Sequence, residues 1–118
     1  MASGTIKSNF TLLWENPNPS SDFTAQTISL SSSNYKFLMV VFKRWSGGGV
    51  ISAIAPKGYN IDLLTNSPEP GGARAYARLL TRVSDTSYSA AAAYLATGTT
   101  AAAVSNSSVI PILIYGLN

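Results

Sequence analysis

The sequence predicts an all-β fold: an antiparallel, jelly-roll-like β-sandwich of about eight short strands in a single domain spanning residues 1–118. Three observations carry this. Apolar residues recur with a period of two along most of the chain. Gly, Pro, Asn and Ser clusters punctuate it at short intervals, at Asn16–Asp22, Ser31–Asn34, Ser46–Gly49, Pro56–Gly58 and Asn66–Gly72. No stretch carries the pattern of a long amphipathic helix, which together with the turn spacing argues for stacked antiparallel sheets.

Residues 1–4 are expected as a flexible lead-in. Thr5 to Glu15 reads as the first strand, with Ile6, Phe10, Leu12 and Trp14 on one parity. Two prolines make residues 16–22 a loop, since each removes a donor and pushes its predecessor to extended geometry. Phe23 to Leu30 alternates as a strand with one wetter face. Phe37 to Phe42 is an unbroken apolar run rich in β-branched and aromatic types. It is expected as a central strand covered on both faces, carrying the chain about 20 Å through the core.

The triple glycine at 47–49 reads as a hairpin or bulge. It is not a phosphate-cradling loop, because a strand pattern, Val50–Ile51, follows it rather than a helix start. Val50 to Ala55 and Tyr59 to Thr65 are further strands, and Asn66 to Gly72 is expected as a second long loop and exposed tip. Ala73 to Val83 fits a strand with Arg74, Tyr76, Arg78, Leu80 and Arg82 on one face. It also fits a helix with the three arginines at i, i+4 and i+8. The β-like neighbours favour strand, and Tyr88 to Ala96 carries the same strand-or-helix ambiguity. Thr97–Thr100 turns the chain, Ala101 to Val104 returns antiparallel, and Val109 to Leu117 forms a second apolar run. Pro111 demotes the start of that run to an edge or bulge. Residues 37–42 and 112–115 are expected to be neighbours.

The chain has no cysteine and no histidine. Disulfides, thiolate or imidazole metal sites, and Ser-His-Asp or Cys-His catalysis are therefore excluded. Charge is sparse, 11% of residues with a net of +3, too thin for the dense basic face of a nucleic-acid binder. Met1–Thr5 lacks a basic segment leading into an apolar one, and no run approaches eighteen apolar residues. A soluble protein made in the cytoplasm and not inserted in a membrane is expected. No cofactor, metal ligand set or catalytic residue is assigned.

Binding candidates are Arg74, Arg78, Arg82, Trp14 and Trp45. The arginines on one strand face form a basic row able to grip an acidic glycan, a phosphate polymer or the carboxylates of a neighbouring subunit. The same row is also what a solvated face with weak ion pairs looks like. Either tryptophan offers a stacking face for a sugar ring, or packs in core or interface. Glycoside hydrolysis would need two carboxylates about 5 to 9.5 Å apart, and Glu15, Asp22, Asp62, Glu69 and Asp85 share no motif that would pair them.

Leu12–Pro19, Phe23–Leu30 and Tyr35–Val40, together with the ending Ile110–Gly116, resemble small β-rich structural proteins of tailed bacteriophages and prophages. The likeness covers both ends and about half of the chain. It implies a virion component with a β-sandwich fold, often trimeric and displayed on a fibre, tail tip or capsid; a non-enzymatic homotrimer that meets other virion proteins and a host cell-surface glycan is expected. The expected location is the virion. Ala90–Ala93 and Ala101–Ala103 are the small-residue stretches expected to let three copies approach around an axis.

Overall fold

The computed structural model describes residues 10–69, 72–97 and 103–118. They form ten strands: β1 (Phe10–Glu15), β2 (Gln26–Ser29), β3 (Phe37–Trp45), β4 (Val50–Pro56), β5 (Ile61–Glu69), β6 (Gly72–Ser84), β7 (Ser87–Ala90), β8 (Tyr94–Thr97), β9 (Ala103–Val104) and β10 (Ser108–Leu117). Every pairing among them is antiparallel.

One sheet has the order β1-β10-β3-β4. The second is effectively four strands wide as well. β5 lies on one side of β6, and β7 and β8 follow one another along its other side, with Leu80 opposite Ala90 and Ala77 opposite Tyr94. The β7–β8 line is interrupted at residues 91–93, where the Ala91 amide donates to Leu79 O. β2 and β9 run end to end along its outer edge. Splitting of the predicted stretch 88–96 into β7 and β8 adds a strand to those read from the sequence, while β9 falls within the predicted return at 101–104. Each sheet pairs strands distant in sequence, β1 with β10 in one and β2 with β7 in the other, while β3–β4 and β5–β6–β7 are local hairpins.

The core between the sheets alternates as the period of two requires. Leu38, Val40 and Phe42 of β3 face Ile28, Leu63 and Leu80 of the other sheet's strands, all at or near zero exposure. Each such side chain contributes about 1.5–3 kcal/mol through removal from water. The predicted neighbours 37–42 and 112–115 are paired directly, with Tyr115 opposite Met39 and Leu113 opposite Val41. The ambiguous stretch 73–83 lies in β6, a strand. Residues 88–96 likewise contribute two strands.

Two expectations are corrected. β3 is not covered on both faces: Phe37 is exposed, and Met39 and Val41 are half-buried. Asn66–Glu69 and Gly72 are strand and not loop, since β5 and β6 pair on through Pro68–Ala73 to Glu69–Gly72, and Pro70 and Gly71 lie outside the described residues. At Pro111, where edge or bulge is expected, the structure has the bulge. β10 is central, and its register shifts between Pro111 and Leu113, which spares the ladder the amide that proline lacks. The lead-in at 1–4, Ile6, the turn at residues 98–100 and Ala101–Ala102 lie outside the described residues.

Candidate functional site

The outward residues of the β1-β10-β3-β4 sheet fall into rows fixed by register. Phe10, Leu117, Phe37 and Pro56 form one row, and Leu12, Tyr115, Met39 and Ile54 the next. Glu15, Leu113, Val41 and Ser52 form a third, and Lys43 and Val50 follow. Phe10 is 52% exposed, Ile54 60% and Val50 61%, with Leu12 and Phe37 nearly half exposed. The Phe10 and Tyr115 rings stand 6.2 Å apart and tilted. The first two rows contain no charge. The outer face of the second sheet differs: Leu64, Leu79 and Val83 are interspersed with Asp62, Asn66, Thr81 and Ser89. The exposed apolar side chains of this sheet are neighbours in register rather than scattered.

At the charged end of the apolar face lies a cleft of about 220 Å³ lined by Glu15, Asn16, Pro19, Lys43, Ile112 and Leu113. Bulges at both strands open it: the register shifts between Leu12 and Trp14 in β1 and between Pro111 and Leu113 in β10. Asn16 holds its back wall, its Nδ2 donating to Pro111 O at 2.9 Å while its Oδ1 accepts from the Asn18 amide at 2.8 Å. Lys43 Nζ donates to Pro19 O at 3.2 Å across the rim.

The five candidate residues do not converge. The period-two face of β6 is its inner face, so Tyr76, Arg78 and Leu80 are all buried. Arg78, 1% exposed, belongs to the core and cannot meet a ligand. Its Nε donates to Val109 O at 2.9 Å, Nη1 to Ala91 O at 2.7 Å and Nη2 to Ser108 O at 3.2 Å, with the Phe23 ring 5.0 Å from the guanidinium carbon. Burial lowers its pKa to about 10, which leaves it charged at neutral pH. Arg74 is exposed and Arg82 partly so, and eight residues of strand separate them by about 26 Å. Trp14 stacks edge-on against Phe23, centroids 6.0 Å apart, and packs on the core. Trp45 is exposed at the end of β3 beneath the Arg44 guanidinium, which lies 5.5 Å from its ring.

A polar cluster joins three segments distant in sequence, around Tyr35, Lys57–Tyr59 and Arg82–Tyr88. Arg82 bonds Asp85 Oδ1 at 2.7 Å, and Lys57 Nζ lies 3.8 Å from Asp85 Oδ2 and over the Tyr35 ring. Tyr35 OH donates to Asp85 O at 2.5 Å, and Tyr88 OH to Tyr59 O at 3.2 Å. Burial pushes the Tyr35 phenol up to about 12, with nearby Tyr88 and Asp85 adding to the rise. The hydrogen bond from Arg82, then its charge and that of Lys57, hold Asp85 below the usual carboxylate range.

Sequence reasoning missed this cluster and the apolar face. For the cluster the local signal is confined to the Arg82–Asp85 spacing of three, and Tyr35, Lys57 and Tyr59 are brought to it by the fold. For the face the signal was present in the unbroken apolar run of β3, whose odd members point outward. Among the described residues no group of three or more acidic, His or Cys side chains is arranged to hold a metal. No family model, curated protein or solved structure matches this chain.

Proposed function

We propose that this chain is a non-enzymatic structural protein of a bacteriophage particle, self-associating and displayed on a fibre or tail tip, where it takes part in binding the host surface. The observation that supports this best is the open apolar face of the β1-β10-β3-β4 sheet, which suits a building block that works covered by another subunit. The resemblance of the two chain ends to phage structural proteins supplies the setting. A three-fold arrangement around the alanine stretches draws no support from Ala90 and Ala93, which are buried in the subunit's own core.

Trp45, exposed with Arg44 above it, is the aromatic best suited to meeting a sugar. The test is adsorption of the purified protein to host cells and competition with infection, with Trp45→Ala weakening both. Binding to empty capsids alone would instead make it a decoration protein. Turnover of host glycans, lost in Asp62→Asn, would overturn the non-enzymatic reading.

A further inference from the structure

We infer that Arg44 and Trp45, at the end of β3, form a binding site for a sugar residue that carries a carboxylate. This rests on the reading of the protein as one that meets the host surface, and it names the class of glycan met there.

The glycine turn that follows pins both residues. The Arg44 amide donates to Gly49 O at 3.3 Å and the Gly48 amide to Trp45 O at 2.8 Å. The turn also lies against the indole: a Cβ on Gly48 would stand 3.1 and 3.2 Å from two of its ring carbons. Glycine is what allows backbone and ring to approach so closely, so the turn seats the ring. Trp45 is nonetheless 43% exposed. It offers solvent an aromatic surface that is already held in place, and binding there orders little that was loose.

Arg44 is fixed from the other direction. Its side chain is half-buried, and its Nε donates to Thr65 Oγ1 at 3.0 Å. Thr65 is 6% exposed and shares the buried parity of Ile61 and Leu63 in β5, so this bond anchors the guanidinium to the interior of the sandwich. Nη1 and Nη2 make no hydrogen bond or ion pair among the described residues. Arg44 differs here from Arg78, all of whose nitrogens are bonded, and from Arg82, which is paired with Asp85. The two-nitrogen end of its fork is the part that matches a planar anion.

The guanidinium carbon lies 5.5 Å from the centre of the Trp45 ring, close enough for one sugar residue to meet both groups. The C–H face of a pyranose packs on the indole surface, and a carboxylate at its rim accepts two parallel N–H bonds from the fork. A neutral sugar in the same place covers the fork and leaves its donors poorly paired, which is the costlier arrangement. One cation suits one negative charge. A phosphate polymer needs a run of them, and the adjacent Lys43 is turned to Pro19 O.

Calorimetric titration of the full chain, at about 0.15 M salt to suppress diffuse attraction, compares tetragalacturonate with the neutral α-1,4-linked galactose tetramer. The acid should bind at least about tenfold more tightly. Arg44→Gln should abolish that preference, and Trp45→Ala should weaken both sugars, with circular dichroism checking that each variant is folded. A second readout leaves Arg44 and its Thr65 bond intact. In Trp14→Phe, where Trp45 is the remaining tryptophan, tetragalacturonate should change the emission with the constant found by calorimetry. Equal affinity for the two tetramers, no heat and no emission change at millimolar sugar, or an acid preference that survives Arg44→Gln would each overturn the site. Host-cell adsorption run in parallel separates the two readings. Adsorption without acid selectivity overturns this inference alone, and acid-selective binding without adsorption overturns the host-binding role alone.

Discussion

The Arg78 guanidinium and the Val109 carbonyl, joined at 2.9 Å, tie the two sheets together through the middle of the sandwich. Val109 takes φ +50, a left-handed conformation that is sterically unfavourable for a β-branched residue. It is fully buried. The twist occurs beside Ser108, whose carbonyl accepts from the same guanidinium, so two consecutive carbonyls of β10 are presented to one side chain of β6. A third comes from Ala91, at the interruption between β7 and β8. One cation thus satisfies the backbone irregularities of both sheets, and the Phe23 ring covers its flank.

Arg78→Met should therefore lower the unfolding free energy by about 3 kcal/mol, because three buried acceptors lose a charged donor at once. Arg78→Lys keeps the charge but concentrates its donors on one nitrogen, which cannot span carbonyls from two sheets. An intermediate loss of about 2 kcal/mol is expected. Urea denaturation measures both. A lysine variant as stable as the wild type would show that charge alone matters, and not the spread of the fork.

The alternation of β6 was legible in the sequence, but its direction was not. A row of arginines suggests an outward face, yet Tyr76 and Leu80 share that face and take it to the core. Arg78, midway between them, goes with it because backbone acceptors are waiting there. In β3 the reverse happened. An unbroken apolar run suggests cover on both sides, while this chain supplies cover for Leu38, Val40 and Phe42 only. Pro111 left edge and bulge open, and the choice depended on β1 arriving on its far side, from nearly a hundred residues earlier. Strand existence is a local property, whereas which face is inner and which strand is central are properties of the whole topology.

Gly116→Ala tests how closely the chain ends pack. A Cβ at this position would lie 2.9 Å from both Leu13 Cδ1 and Tyr35 Cβ. The leucine methyl can rotate away, but the tyrosine Cβ is fixed to the backbone. Overpacking of this kind costs about 1–3 kcal/mol, seen as a fall in melting temperature of roughly 4–8 °C per kcal/mol for a domain near this size. Gly58→Ala should destabilise for a different reason. Nothing crowds that site, but its φ of +94 penalises any Cβ, so Gly58→Asn should be milder than Gly58→Ala.

Stability should fall at both ends of the pH scale, through different members of the polar cluster. Tyr35 has its pKa raised from 10.0 to about 12, so between these values the unfolded chain has released a proton that the folded one retains. Its contribution is complete below pH 10 and declines as pH rises to 12. Asp85 has a lowered pKa. Its contribution is present above the ordinary carboxylate value and is lost as pH falls through the lower folded one. Thermal melts should show Tyr35→Phe flattening the alkaline limb and Asp85→Asn flattening the acid limb. Exchange of these two signatures would overturn the assignment.

Asn16 is where loop, bulge and cleft meet, and its replacements by Ala and by the isosteric Asp should behave differently with pH. In the native chain its Nδ2 donates to Pro111 O and its Oδ1 accepts from Asn18 N. The residue is only 6% exposed. Asn16→Ala removes both bonds and leaves the Pro111 carbonyl without this donor, at a cost of about 1–3 kcal/mol. Asn16→Asp keeps the shape and the acceptor but turns a carboxylate oxygen toward a carbonyl oxygen. Burial and that repulsion should raise the pKa of the new carboxyl, so the folded state binds its proton more tightly than the unfolded chain does. The Asp variant should therefore be the less stable of the two at neutral pH and should gain on the Ala variant as pH drops toward 4, where a protonated carboxyl can donate to Pro111 O. Parallel urea titrations at neutral and acid pH measure the crossing. A pH-independent difference would mean that the Pro111 carbonyl has found another donor and that the amide of Asn16 is not what holds the β10 bulge open.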